Sequence, residues 1–576
     1  MTIKKIQRRP VPGASRDWGG QLPPLLRRLY SARGVTSDAQ LDYTLKQLAS
    51  PLDLRGIDGA VELLTQAIAE QQRVLVLGDF DADGATSTAV ALLGLSMLGL
   101  QHIDYRVPSR FADGYGLTPG IIERLQQENA LPDLLITVDN GIAAVEGVQA
   151  AKDLGVRVLV TDHHLAGERL PAADAIVNPN QPGCSFLSKH AAGVGVMFYV
   201  LTALRRYLRE AGRLPDPQPN LGSLLDLVAL GTVADVVPLD HNNRIFVEQG
   251  LRRIRQGLAR PGILALLDIA GRDHTRISAV DLGFVVGPRL NAAGRLDDMS
   301  VGIACLLADG EDEARRLAQE LDTLNRERRT IEDGMKAQAQ ELLASMSLDL
   351  DGLPWGLALY EPDWHQGVIG ILAARLREQT HRPVIAFARG EDGTELKGSA
   401  RSIPGLHIRD LLATVASRHP GMLKKFGGHA MAAGITIDAA GLEPFADAFD
   451  AAVRDTLTAD ALEAVVVTDG PLSAAELTLE TAALLRRAGP WGQHFPEPLF
   501  DGEFRVVRQR IVGENHLKLV LQPDWGGDII DAIAFNTGPV VPDYTLTGAR
   551  VVYKPDANTF RGRTSLQLLI DYIEPI

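Results

Sequence analysis

Cysteine is nearly absent from this 576-residue chain. Cys184 and Cys305 are the only two, too few for a disulfide framework or a thiolate metal site. Long apolar runs are absent too: none approaches the ~20 residues that span a bilayer. The opening MTIKKIQRRP lacks the apolar stretch of a signal peptide. These absences exclude a secreted disulfide scaffold, a zinc ribbon and a membrane-spanning protein, and the expectation is a soluble, cytoplasmic chain with no membrane partner. Basic excess is also missing, with 58 Lys+Arg against 72 Asp+Glu and a net charge of −14. That excludes a general polycation but not a nucleic-acid enzyme whose basic channel is local. At roughly 150 residues per domain, the length allows three or four domains, each with its own core.

What is present changes character along the chain. Residues 1–70 read as an N-terminal arm, with Pro23-Pro24 before LLRRLY and a helical alternation in DAQLDYTLKQL. From Arg73, β-branched runs at 74–78, 134–138, 156–160 and 175–177 alternate with helical segments at 85–98 and 142–153. This pattern predicts a parallel sheet covered on both faces within a domain at 71–310. In 311–347, Leu317, Leu321, Leu324, Ile331, Met335 and Leu342 recur at spacings of three and four or their sums, which predicts one long connecting helix. A second α/β domain is expected at 348–455, with strands near 356–361, 383–388 and 395–400 and helices near 367–379 and 407–417. Residues 456–576 read as a helical stretch near 473–488 and then five strand-like runs, at 503–511, 516–522, 529–535, 546–554 and 564–573. Five strands fit an OB-type barrel or a small sandwich.

The chemistry starts where strands end. VLVLGDFDADG places Asp79, Asp81 and Asp83 just past a strand and before a helix, the edge of an open parallel sheet at which ligands bind. Alone, a DxD also reads as a helix cap. The position recurs, however: strand 134–138 runs into Asp139-Asn140-Gly141, and strand 156–160 into Asp162-His163-His164. A further acid, Asp235, stands in the apolar stretch GTVADVVPL. Carboxylates crowded at one partly desolvated edge repel one another unless cations lie between them. Oxygen-rich ligation with imidazole and no thiolate suits Mn2+ or Mg2+, and two such ions favour hydrolysis of a phosphate ester.

GDFDADG, VDNG, DHH and GTVADVVPL are similar to the four motifs of the DHH phosphoesterase superfamily. LPPLLRRLY, GPRLNAAGRL, KGSARS, KFGGHAMAAG and FPEPLF resemble its RecJ branch of single-strand-specific exonucleases, and the resemblance runs over nearly the whole chain. It implies DHH and DHHA1 domains joined by the long helix around a central cleft, plus a C-terminal OB barrel. It implies that Asp81, Asp83, Asp139, His163 and Asp235 hold two divalent ions, with Asp139 as bridge, Asp79 in or next to the ligand set, and Asp162 and His164 completing the catalytic group. In the superfamily's small pyrophosphatases a His stands four residues before the first Asp of the DxD. Leu77 occupies that place here, a departure that argues against pyrophosphatase activity.

Groups that could hold a strand lie further on. Arg289, Asn291 and Arg295 sit between turn-forming glycines in GPRLNAAGRL, and arginine offers a planar fork to phosphate oxygens; the plain alternative is surface arginines on a loop, while the resemblance implies that the segment lines the cleft. His365 precedes a helix N-terminus, an anion site if the imidazole is not structural, while Ser399, Arg401 and His429 stand in glycine-rich segments. In the barrel, Arg505, Arg508, Arg510 and Lys518 are candidates for backbone contact. Trp525, Phe535, Tyr553 and Phe560 are candidates for base stacking or for the core. The resemblance implies 5′→3′ hydrolysis of single-stranded DNA to 5′-mononucleotides in repair, mismatch repair and recombination, with single-strand-binding protein and a helicase as partners. The alternatives are a DHH phosphodiesterase acting on short RNA or cyclic dinucleotides, and a non-catalytic nucleic-acid-binding member. The barrel and the length argue against the first, and the intact acids against the second.

Overall fold

The computed structural model describes residues 4–12, 18–20, 22–110, 113–346, 352–390, 393–513, 516–535, 546–560 and 562–576. The chain forms two compact units. One comprises Pro10–Asn325 with Asp469–Ile576, the other Arg326–Thr468 with the segment ending at Arg9.

The first unit is built on a five-stranded parallel sheet. Its spatial order is Ile103–Arg106, Val74–Leu77, Leu134–Val138, Arg157–Thr161, Ala175–Val177. Val74–Leu77 and Leu134–Val138 are buried at every position, as strands covered on both faces must be. Between these two neighbours the strand order reverses direction, so the crevice beyond their carboxyl ends is the switch point where such sheets bind ligands. The helix Ala82–Met97, capped by Asp81, is buried along nearly its whole length. A Cβ on its Gly94 would fall 2.2 Å from Leu201 of the helix Gly193–Glu210, so glycine lets the two helices pack closely.

Three readings of the sequence need correction. The strand Ile103–Arg106 escapes hydropathy because it lies at the sheet edge and alternates half-buried with exposed positions. GPRLNAAGRL is the helix Gly287–Leu296, not a loop, and a π-helical turn, Leu282–Val286, precedes it. The segment 1–70 is not one arm. Lys4–Arg8 pairs in parallel with Ala464–Thr468 in the second unit, whereas the helix Pro24–Ala32 belongs to the first. There Tyr30 stacks on Trp491 at 5.8 Å and donates a 2.6 Å hydrogen bond to the Ala488 carbonyl, and Arg33 grips Asp469 with bonds of 2.9 and 2.7 Å.

The C-terminal strands close a barrel in the order Phe500–Val512, His516–Pro523, Ile530–Ala534, Arg563–Pro575, Gly548–Phe560. Its one parallel pairing joins Ile530–Ala534 to Arg563–Pro575, the OB arrangement. Tyr553 belongs to the core, tilted against Phe500 and edge-on to Phe504, while Trp525 and Phe535 are exposed. The side chain of Phe560 lies outside those described.

The second unit carries a mixed five-stranded sheet ordered Lys425–Gly428, Ala432–Asp438, Glu395–Arg401, Val384–Arg389, Leu357–Tyr360. The predicted connecting helix is Glu311–Met346. Its apolar stripe serves two cores: Leu317 and Leu321 belong to the first unit's core, with Leu324 packed against it, and Met335 to a core of the second, with Ile331 and Leu342 against it. No helix among the described residues is long and apolar enough to cross a membrane.

Candidate active site

The cluster assembles at the switch point around one imidazole. His163 Nε2 lies 3.0 Å from Asp139 Oδ1, 3.6 Å from Asp235 Oδ2 and 3.9 Å from Asp83 Oδ2. The three acids come from three segments: the first turn of Ala82–Met97, the end of strand Leu134–Val138 and the C-cap of helix Leu225–Ala234. Backbone shape brings them in. Asp139 takes a left-handed conformation with φ of 61°, a region rare for residues other than glycine and one that Asp tolerates. Gly193 gives the room: a Cβ there would meet Asp139 Cβ at 2.6 Å and Oδ1 at 2.7 Å. The Asn140 side-chain amide donates to the carbonyls of Leu77, Gly78 and Val138 at 3.0–3.3 Å, binding the two strand ends across the switch point.

Not every acid of the motifs has a free carboxylate. Asp83 accepts from the backbone N–H groups of Gly193 and Val194 at 2.6 and 3.0 Å, holding the start of helix Gly193–Glu210. Asp81 accepts from Gly84 N–H, and Asp79 from Phe80 N–H. Asp162 is fully occupied: it accepts from the N–H groups of Ile142, His163 and His164 and lies 2.8 Å from His164 Nδ1. Expected among the catalytic residues, Asp162 instead shapes the DHH loop and orients His164.

Electrostatics follows from that crowding. Burial, and then the neighbouring Asp81, pushes the carboxyl of Asp79 up to about 8 and that of Asp83 up to about 7. Burial, followed by Asp83 and the other neighbouring acids, raises Asp139 and Asp235 well above the usual carboxylate range. Asp162 moves the other way, because hydrogen bonding and charge from His164 outweigh its burial. Burial works to lower His164, yet the bond to Asp162 carries it up to about 9. Asp139 Oδ1 is buried and accepts no hydrogen bond among the described residues. Asp139, His163 and His164 offer ligand atoms within 4.8 Å of one another, and so do Asp83, His163 and Asp235. Hard, buried, mutually repelling oxygens with imidazole fit Mn2+ or Mg2+.

The arginine motif departs from expectation. Arg289 is buried and bonds Asp322 through Nε at 2.9 Å and the Val285 carbonyl at 2.7 Å, so its guanidinium serves the scaffold and not a phosphate. Asn291 accepts from Ala82 N–H at 2.7 Å and so fixes the acid loop from behind, while Arg295 is half-buried at the end of the same helix. In the second unit, Arg401 bonds Ser399 Oγ at 3.0 Å, and a Cβ on Gly370, in the first turn of helix Ile369–Thr380, would meet both side chains at 3.0 Å. His365 accepts from Gly367 N–H just before that helix, and His429 is exposed. Lys518 pairs with Asp531 at 3.1 Å across two barrel strands.

Sequence reasoning missed Arg110 and Tyr115. Arg110 lies 3.9 Å over the Phe80 ring and donates to the Gly294 carbonyl. The Tyr115 hydroxyl lies 3.3 Å from the His164 ring nitrogens and 3.4 Å from the Asp139 carbonyl. Both follow the unrecognised edge strand. Its end was the missing signal, because SRFADGYG continues the rule that strand ends deliver side chains to this site.

Comparison with known proteins agrees with this architecture. Residues 73–232 match the DHH family N-terminal domain, 355–455 the DHHA1 domain and 468–572 the RecJ OB domain. The chain is 54% identical over 576 residues to the single-stranded-DNA-specific exonuclease RecJ of Escherichia coli strain K12, covering 99% of each chain. To the protein of that name from Haemophilus influenzae it is 52% identical, covering 96% of each. It superimposes on the crystal structure of Thermus thermophilus RecJ in complex with Mn2+ with a TM-score of 0.79 and 29% identity, covering 96% of this chain and 76% of that one.

Proposed function

The chain belongs to the RecJ family of single-stranded-DNA-specific exonucleases, and from that premise we propose that it hydrolyses single-stranded DNA from the 5′ end, releasing 5′-mononucleotides in repair and recombination in the cytoplasm. The observation that carries this reading is the convergence of Asp83, Asp139 and Asp235 on His163 Nε2 at the sheet's switch point. Asp81, Asp83, Asp139, His163 and Asp235 would hold the divalent cations. Bound Mn2+ or Mg2+ supplies the activation of a water and the neutralisation of charge on the phosphoryl oxygens.

The chain's own groups do the rest. Asp162 keeps the His164 imidazole oriented and, through their 2.8 Å contact, favours its protonated form, a donor suited to a phosphate oxygen. Tyr115 holds the other side of that ring. Ser399 and Arg401, beside the N-terminus of Ile369–Thr380, receive a strand phosphate together with His365 and His429. Lys518 and the exposed Arg505, Arg508 and Arg510 give the barrel its backbone contacts. Single-strand-binding protein and a helicase are the partners such an activity calls for.

The test uses a 5′-labelled single strand, the same strand in duplex and a short RNA, with Mn2+, Mg2+ or EDTA. Metal-dependent release of labelled mononucleotide from the single strand alone is expected. Equal cleavage of duplex, or preference for short RNA, overturns the reading.

A further inference from the structure

The π-helical turn Leu282–Val286 lies against the segment that carries Asp235. It packs on the last turn of the helix that ends at Asp235: a Cβ on Gly283 would stand 3.1 Å from Val233 Cγ1, and one on Gly287 3.2 Å from Ala234 Cβ. Arg289, itself tied to Asp322, secures the turn by donating to the Val285 carbonyl. Such turns interrupt α-helical bonding and are frequent at functional sites. Here the turn leaves Phe284 74% exposed, the most exposed phenylalanine among the described residues. Val280, four residues earlier, is 42% exposed.

A second irregularity adjoins it. Val236, the residue after Asp235, is 62% exposed and has a φ of 60°, a conformation that a β-branched side chain adopts only under strain. Its N–H bonds the Val233 carbonyl at 3.2 Å, on the residue against which Gly283 packs. Two backbone irregularities thus expose apolar side chains, one on the residue that follows Asp235 and one on a turn packed against the two residues before it. Three side chains are far too few for a protein interface, which takes about 800 Å² from each partner. They match a single flat ring. Val236 follows Asp235 in the chain, and the turn that carries Phe284 packs on Val233 and Ala234 just before it, so an occupant of this surface arrives with the substrate.

We propose that Phe284 is the stacking platform for one unpaired nucleobase of the strand whose phosphodiester lies at the acid cluster, with Val236 and Val280 bordering the base. This rests on the single-strand nuclease reading above. It adds a specificity element: a paired base is held in the duplex stack by its partner, whereas an unpaired base is free to turn out and give a face to the phenyl ring. Stacking of this kind tolerates any base sequence.

The probes are oligo(dT) strands carrying one abasic site, moved one nucleotide at a time, cleaved by the full chain in Mn2+. The wild-type chain is expected to show one position at which the missing base raises KM about tenfold. Phe284→Ala is expected to raise KM about tenfold on the intact strand and to show no further loss at that position. Phe284→Leu, which keeps apolar bulk without a π face, should behave like the alanine variant, and Phe284→Trp like the wild type. The dependence of affinity on salt should keep its slope, since no charge is removed. The proposal is overturned if the abasic penalty persists in full in Phe284→Ala, if no position carries one, or if Phe284→Leu matches the wild type. Failure of the wild-type chain to cleave any single strand would instead refute the nuclease reading.

Discussion

Removing the metal should leave protons in its place. In the metal-free chain the carboxyl of Asp79 is pushed up to about 8 and that of Asp83 up to about 7 by burial and by Asp81, with Asp139 and Asp235 raised as well. At pH 7, Asp79 and Asp83 together therefore hold about one to two protons. Loading Mn2+ expels them, so apparent metal affinity rises with pH through 6–8. Stability has the opposite sign without metal. From the unfolded carboxylate value near 4 up to about 8, the folded state binds more protons than the unfolded one. Metal-free stability thus falls as pH rises, by ~1.4 kcal/mol per pH unit for each fully linked proton. Mn2+ at 100 times its dissociation constant returns about 2.7 kcal/mol. Calorimetric Mn2+ titrations in two buffers of different ionisation enthalpy measure the protons released, and thermal unfolding in EDTA or Mn2+ from pH 6 to 9 measures the linkage. Metal binding without proton release at pH 7, with affinity flat across that range, would refute the protonated-cluster picture.

The geometry sets three further expectations. Asp139→Asn, changing the carboxylate 3.0 Å from His163, should lower Mn2+-dependent turnover by more than about 100-fold, because even groups behind metal ligands cost 10–100-fold; near-wild-type turnover on a labelled strand contradicts its bridging role. Arg289→Met leaves buried Asp322 without its guanidinium and should cost about 3–5 kcal/mol in urea unfolding, most of it recovered by adding Asp322→Leu; an additive double variant argues against the pair. Gly193→Ala drives a methyl group into Asp139 and should cost about 1–3 kcal/mol with a parallel loss of Mn2+ affinity, read by unfolding and by metal titration.

The acids were legible because their signal is local. A fully buried parallel strand reads as an unbroken apolar run, and Asp79, Asp139 and Asp162 stand immediately after such runs. The barrel strands His516–Pro523 and Ile530–Ala534 were legible for a related reason, each alternating buried and half-buried positions between turn residues. Tertiary roles were not. Whether Arg289 meets a phosphate or Asp322 depends on a partner 33 residues away, and whether Asp162 binds metal or backbone depends on the loop closing around Ile142. The polar edge strand Ile103–Arg106 concealed Arg110 and Tyr115 in the same way, and the pairing of Lys4–Arg8 with Ala464–Thr468 joins segments 460 residues apart.

Asp83 joins chemistry to architecture in a single carboxylate. Its two oxygens anchor the opening amides of a helix 110 residues downstream, and the same group belongs to a constellation with the geometry to hold an ion. A cation bound there would share its carboxylate with that anchor, so exchanging it for a proton should weaken the anchor, and the amides of Gly193 and Val194 would report the change.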